Sequence, residues 1–357
     1  MANISLQGIT KRFGGTTALK DLDLEIADGE FFVLLGQTGA GKTTTLRAIA
    51  GLERPDAGRV LIDGQDVTGW NAAARDVALV LQQYSLYPRL TVRGNLEFPL
   101  KAKIRRMDKA AIDKRVEDAA RVLQITPLLE RKVERLSGGE MQRVSIGRAI
   151  VREPRVFLMD EPLSALDAKL REALRVELKR LHSELGATFL FVTHDQVEAM
   201  SMGDKIGVLN KGHLVQTGTP MEIYERPRNT FVARSVGTPA MNLLAGKLNK
   251  GNAEIGDGAI TLPVKDRKGA AGQEVIFGIR PENLLLETGA PVEARVFDIE
   301  DHGVNKILAL DIGRNRLHTV VPGKLKVELD EVVRFGWRPE KVLLFDRQTG
   351  ENLALAS

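Results

Sequence analysis

The chain has 357 residues, 43% of them hydrophobic, with 51 basic and 47 acidic side chains for a net charge of +4. That length accommodates two or three domains with cores of their own, and the slight basic excess is interspersed with acids, as in Lys109-Ala110-Ala111-Ile112-Asp113-Lys114, which marks a solvated surface rather than a nucleic-acid face. The absence of cysteine excludes disulfide frameworks and thiolate metal sites and suits a reducing compartment.

At the start, Met1 to Gln7 has no basic segment leading into a long apolar run, so no signal peptide is expected. No apolar stretch approaches the roughly 18 to 20 residues that span a bilayer. Strands near Ile4 to Ile9 and Ala18 to Ile26, separated by Lys11-Arg12-Phe13-Gly14-Gly15-Thr16, give an antiparallel start. The apolar run Phe31 to Leu35 then turns through Gly36, Gly39 and Gly41 into a helical stretch, Thr44 to Ala50. That is the strand, loop and helix required around G-x-x-x-x-G-K-[ST]. The glycines turn backbone N–H groups inward around an anion, with Ala40 and Thr44 completing the loop, and the helix adds the positive end of its dipole. Lys42 supplies a mobile cation for the outer phosphates, and the Thr43 hydroxyl is placed to ligate Mg²⁺. An ordinary glycine-rich turn would not need the full spacing in this context.

Strand-like runs follow at Arg59 to Gly64 and Val77 to Gln82, and then a mostly helical stretch in which Asp108 caps a helix whose apolar face is Ile112, Val116, Ala119, Ala120 and Leu123. Leu136-Ser137-Gly138-Gly139-Glu140-Met141-Gln142-Arg143-Val144 reads as a serine-capped helix start with two glycines that allow close backbone approach. It is a second helix N-terminus suited to an anion. The buried strand Val156 to Met159 ends in Asp160-Glu161-Pro162, which delivers two carboxylates to the edge of the sheet where the phosphate loop lies. Asp160 is placed to hold Mg²⁺, and Glu161 to orient water for attack on a terminal phosphate. A long amphipathic helix from Ala168 and the strand Thr188 to Val192 complete an α/β pattern. Beyond Gly237, short runs such as Glu274 to Ile279, Val292 to Phe297, Lys306 to Asp311 and Lys341 to Phe345, broken by Gly, Asn, Asp and Pro, predict a small β-barrel or sandwich.

With LSGGE at Leu136 to Glu140 beside the phosphate loop, the chain resembles the ATP-binding subunits of ATP-binding cassette (ABC) transporters. The resemblance implies an α/β phosphate-loop NTPase cassette over 1–237, with a helical subdomain at about 88–155, and an all-β, OB-like regulatory domain over 238–357. It implies that two cassettes, identical or similar, pair head to tail, so that Ser137, Gly138 and Gly139 of one cover the ATP held by the phosphate loop of the other. By the same resemblance Phe13 stacks on adenine, and Gln82 touches Mg²⁺ and the attacking water. Asp167, in Ser164-Ala165-Leu166-Asp167, lies at the dimer interface or simply caps the next helix. His194 contacts the γ-phosphate. His182, His213, His302 and His318 match no motif. Two departures stand out. Gln37-Thr38 replaces the commoner Pro-Ser, and Glu140 stands where Gln is usual. An acid near phosphates is unfavourable, so the Glu140 side chain is expected to point away and leave the contact to the Ser137 hydroxyl and the glycine N–H groups.

The loop Gln82 to Pro88 exposes aromatic and apolar groups suited to a protein contact, and the family receives two transmembrane permease subunits there. Thr238 to Leu244 and Gly278 to Glu282 resemble the linker and barrel of importers for carbohydrates and glycerol phosphates. The expected function is therefore a peripheral ATPase on the cytoplasmic face of the plasma membrane, with Mg²⁺ and ATP, serving a permease fed by a periplasmic or extracellular solute-binding protein and binding no nucleic acid. An importer of a polyamine, iron or another anion is the nearest alternative. A soluble nucleic-acid-associated ABC ATPase would be expected to carry paired cassettes or a long coiled-coil insertion, and neither is present. A regulatory module without hydrolysis is opposed by Glu161 and His194.

Overall fold

Strands that run parallel in the middle of a sheet must be apolar on both faces, and Phe31–Leu35, Val156–Asp160 and Thr188–Thr193 are buried at every position. The computed structural model describes residues 2–102, 107–249, 252–255, 260–263 and 272–355. It divides into two compact units, Met1–Pro220 and Met221–Ser357. This division falls ahead of Gly237, where the texture of the sequence changes.

The first unit contains, in chain order, β1 (Ile4–Phe13), β2 (Thr16–Ile26), β3 (Phe31–Leu35), α1 (Lys42–Ala50), β4 (Ala57–Ile62), β5 (Gln65–Asp66), β6 (Val77–Val80), α2 (Val92–Glu97), α3 (Lys109–Val122), α4 (Gly138–Ile150), β7 (Val156–Asp160), α5 (Ala168–Leu185), β8 (Thr188–Thr193), α6 (Gln196–Met202), β9 (Lys205–Asn210) and β10 (His213–Gly218). The order β2-β1-β4-β5 forms an antiparallel sheet. A second sheet, β10-β9-β3-β8-β7-β6, is parallel except at the β9–β10 edge. Strands β4 and β6 stop two residues short of the runs read from the sequence.

Aromatic rings fill one stretch of the parallel sheet. Phe157 and Phe189 stack at 4.5 Å between centroids, Phe31 and Phe189 at 5.3 Å, and the His182 ring meets Phe31 edge-on. His182 also hydrogen-bonds the Gly29 carbonyl through Nε2 at 2.9 Å, so this histidine is structural. The helical segment packs as its periodicity predicts. Ile112, Val116, Ala119, Ala120 and Leu123 are buried, and the Asp108 carboxylate accepts from the Ala111 N–H at 2.8 Å. Gly147 lets α4 approach α2 closely, because a Cβ there would stand 2.8 Å from Leu96 Cδ2 and 3.1 Å from Leu123 Cδ1.

The second unit carries β11 (Asn242–Asn249), β12 (Asn252–Ile255), β13 (Ile260–Pro263), β14 (Glu274–Ile279), β15 (Leu284–Leu286), β16 (Val292–Asp301), β17 (Asn305–Ile312), β18 (Asn315–Pro322), β19 (Val332–Trp337) and β20 (Leu343–Asp346). Two five-stranded sheets, β13-β12-β11-β14-β20 and β15-β19-β16-β17-β18, are antiparallel throughout. They share one core that includes Phe277, Val296, Leu310, Phe335 and Leu344. Arg280 is buried and uses its guanidinium on the carbonyls of Ala233, Val236 and Tyr224. It thereby ties the residues before β11 to this β-rich body.

Phe189→Ala removes a fully buried ring from the parallel sheet. It is expected to cost about 3–5 kcal/mol, read as a lower urea midpoint for unfolding of the first unit.

Candidate active site

The turn after β3 has no room for a side chain at Gly36, where a Cβ would lie 2.7 Å from the Leu209 carbonyl, or at Gly41. Gly41 sits at φ 110°, and a Cβ there would lie 2.7 Å from the Ala18 carbonyl and 2.8 Å from Leu19 Cδ2. Only glycine meets both demands. The turn delivers Lys42 to the first position of α1, at the positive end of the helix dipole. Lys42 is buried, donates from Nζ to the Gly36 carbonyl at 2.9 Å and the Gln37 carbonyl at 3.2 Å, and pairs with Glu161 Oε1 at 3.3 Å. Next to it, the Thr43 hydroxyl donates to Asp160 Oδ1 at 3.1 Å. Burial pushes the Asp160 carboxyl above its ordinary range, opposed by the Thr43 hydrogen bond and reinforced by the Glu161 charge. A hydroxyl and a buried carboxylate at hydrogen-bond distance, lacking a full counter-charge, fit a hard divalent cation.

Glu161 follows β7 at φ 46°, a left-handed conformation uncommon for a side chain of this size. Its N–H donates to the Val192 carbonyl of β8 at 2.9 Å, which fixes the turn. The carboxylate spans two partners, with Oε1 toward Lys42 and Oε2 2.9 Å from His194 Nδ1. The carboxylate is mostly buried and the imidazole is about half exposed, at 15% and 54% of their accessible areas. This contrast gives the pair an inner acid and an outer ring that solvent reaches. The residues flanking His194 are braced from inside. The Thr193 hydroxyl donates to the buried Glu198 carboxyl at 2.5 Å and accepts from the Asp195 N–H at 2.9 Å. Burial drives the Glu198 carboxyl upward. Glu198 was not legible as part of the site. Its only sequence signal is an acid on the otherwise apolar face of a short helix.

Other sequence-predicted residues take the following places. The last registered pair of β6 and β7 is Val80 with Met159, so Gln82 emerges, exposed, at the same carboxyl edge as Glu161. Phe13 ends β1 with its ring 46% exposed and the Lys11 ammonium 5.1 Å from its centroid. Asp167 caps α5, accepting from the Leu170 N–H at 2.9 Å, which is the helix-capping role weighed for it from sequence. Ser137 is exposed and caps α4, with Gly138 and Gly139 partly exposed at the first turn. The expectation for Glu140 fails. Its side chain folds back onto Ser137 instead of pointing away, because a capping box satisfies two backbone N–H groups that a helix start otherwise leaves unpaired.

A cleft of about 710 Å³ opens beside the Gln82 to Pro88 loop, lined by Ala74, Leu79, Leu81, Tyr87, Phe98 and Arg148 among others. The Tyr87 and Phe98 rings meet at 4.2 Å, and the Arg148 guanidinium covers Tyr87 at 4.6 Å. Asn95, fully buried, holds the loop from beneath. Its amide accepts from the Tyr87 N–H at 2.8 Å and donates to the Tyr87 carbonyl at 3.1 Å and the Thr91 carbonyl at 3.0 Å. Asn95 and Arg148 act on the loop from a distance in the sequence, so neither could be read as part of it.

The ABC transporter family profile matches residues 19–164 and the MalK OB fold domain matches residues 237–284. The sn-glycerol-3-phosphate import ATP-binding protein UgpC of Ruegeria pomeroyi is 45% identical over 99% of this chain and 100% of its own length. The chain belongs to the ABC transporter family, as one of its import ATPase subunits. The trehalose/maltose import ATP-binding protein MalK of Thermococcus litoralis is 44% identical over 98% of this chain and 99% of its own. Among solved structures, a post-hydrolysis dimer of the ATP-binding cassette MJ0796 bound to ADP and Pi shares 34% identity at a TM-score of 0.57, covering 61% of this chain and 98% of that one. The fold is thus an ABC ATPase cassette joined to an OB-type domain, and a cassette of this family implies nucleotide binding.

Because the fold raises the Asp160 pKa, its carboxylate destabilises the nucleotide-free protein at pH values above that raised pKa, and the penalty disappears as acidification protonates it. Asp160→Asn keeps the acceptor for Thr43 without the charge. It is expected to raise the neutral-pH stability of the nucleotide-free protein, read as a higher thermal unfolding midpoint, while Mg²⁺-dependent ATP turnover is lost.

Proposed function

We propose that this chain hydrolyses ATP for the import of a carbohydrate, polyol or glycerol-phosphate-like solute, and that two copies, or one copy and a similar cassette, close around two ATP molecules. The observation that carries the reading is the Lys42–Glu161–His194 chain of contacts beside the Thr43–Asp160 pair, all at one sheet edge. Lys42 neutralises Glu161 and leans on its own loop's carbonyls. Terminal phosphates offer Lys42 a stronger anionic partner, and its departure frees Glu161 Oε1 to accept a proton from water. His194 holds the other oxygen of the same carboxylate, so the base is oriented as well as released.

Thr43, Asp160 and Gln82 would hold Mg²⁺, which when bound neutralises charge on the outer phosphates. Phe13 would stack on the adenine. Gly36, Gly39, Ala40, Gly41, Lys42, Thr43 and Thr44 would cradle the phosphates, and Ser137, Gly138 and Gly139 of the opposing cassette would close over them, with Asp167 at the seam between the two. The carbohydrate and glycerol-phosphate class rests on the two full-length relatives and their printed names. We take residues 238–357 as the regulatory domain that goes with this class.

No helix among the described residues is long and apolar enough to cross a membrane. The cleft beside Gln82 to Pro88, apolar at Leu79, Leu81, Tyr87 and Phe98, suits a short amphipathic helix from one of two permease subunits, the paired cassette taking the other. That would hold the chain at the cytoplasmic face of the plasma membrane, and a solute-binding protein on the far side would feed the permease.

Glu161→Gln is expected to keep ATP affinity and accumulate an ATP-bound dimer while turnover falls about 10²- to 10⁴-fold. Steady-state ATPase assays and size-exclusion chromatography read both, and retained turnover would sink the assignment of Glu161. Phe98→Asp places a charge in the cleft and is expected to reduce the fraction that co-sediments with permease-containing membranes roughly tenfold. Unchanged co-sedimentation would remove the cleft from the permease contact.

A further inference from the structure

The signature turn holds an internal anion where its ligand is expected. The Ser137 N–H donates to Glu140 Oε2 at 2.7 Å, the Ser137 hydroxyl donates to the same oxygen at 2.9 Å, and the Glu140 N–H donates to Ser137 Oγ at 3.3 Å. Both polar hydrogens of Ser137 therefore point at one carboxylate oxygen. The site is not sequestered, since Ser137 is exposed and Glu140 half-buried. Two hydrogen bonds from Ser137, the Ser137 N–H first, hold the Glu140 carboxyl below its ordinary range, with the Arg131 and Arg143 charges nearby adding to the effect. A glutamine would form the same capping box, because its amide oxygen accepts as a carboxylate oxygen does. What glutamate adds is the negative charge, and that charge also takes up the favourable field of the α4 N-terminus.

We propose that Glu140 competes with the terminal phosphate of ATP for Ser137, so that this cassette pairs more weakly around ATP than a glutamine version would. The inference deepens the reading above and rests on its premise that Ser137 of one cassette meets ATP bound to another. For that contact to form, the Ser137 hydroxyl must leave a charge-assisted acceptor, and a phosphate must approach a carboxylate one hydrogen bond away. The same side chain stabilises the unpaired cassette by completing the cap. Cap stability and pairing strength therefore respond to Glu140 with opposite signs, which a purely structural cap would not produce.

The test uses the full chain carrying Glu161→Gln, with saturating MgATP, and sedimentation equilibrium to measure the monomer–dimer Kd. Adding Glu140→Gln is expected to lower that Kd roughly tenfold or more, since a symmetric dimer relieves two sites at once. The nucleotide-free protein should meanwhile melt about 2–4 °C lower. Adding Glu140→Asp keeps the charge and is expected to leave pairing weak, and raising salt from about 50 mM to about 500 mM should narrow the gap between the glutamate and glutamine proteins. A Glu140→Gln Kd within about threefold of its parent or weaker, or a Glu140→Asp protein that pairs as tightly as Glu140→Gln, overturns the proposal and leaves cassette pairing standing. If none of these proteins pairs in MgATP, the pairing premise fails, and this inference fails with it.

Discussion

The first unit is governed by one constraint. Strands β3, β7 and β8 are buried along their whole length, so no charged group can appear on them until they end. Because they run parallel, they end on the same side. Lys42, Thr43, Asp160, Glu161 and His194 follow three separate strands and still meet, Lys42 and His194 at Glu161 and Thr43 at Asp160, within hydrogen-bond or ion-pair distance. The chemistry is collected by the geometry of the sheet rather than by proximity along the chain.

The charges gathered there satisfy one another. Lys42 answers Glu161, His194 supports the same carboxylate, and Thr43 answers Asp160. Each buried ammonium or carboxylate thus has a partner, which offsets part of the cost of holding it in a low-dielectric pocket. The imbalance left over sits on Asp160, whose carboxyl is raised by burial and only partly relieved by a hydroxyl.

Much of this was legible in the sequence because it is local. The phosphate loop is a contiguous spacing, Asp160-Glu161 ends an apolar run, and Ser137 and Asp108 announce helix starts by residue type. The readings that failed or fell short involve groups placed by distant contacts. The side-chain direction of Glu140 was argued from its expected ligand, whereas the unpaired N–H groups of its own helix decide it. Glu198, Asn95 and Arg148 brace the site and its neighbouring loop through hydrogen bonds and ring contacts that no motif records. The compact division at Pro220 likewise depends on packing, as in the Arg280 bonds to Ala233 and Val236, and not on a change of composition.

Asn95 has a mechanical meaning. The loop is held from below by a sunken amide and covered from above by a guanidinium, so Tyr87 is fixed through both its backbone and its ring. The position of Tyr87 in the loop therefore hangs on a single asparagine.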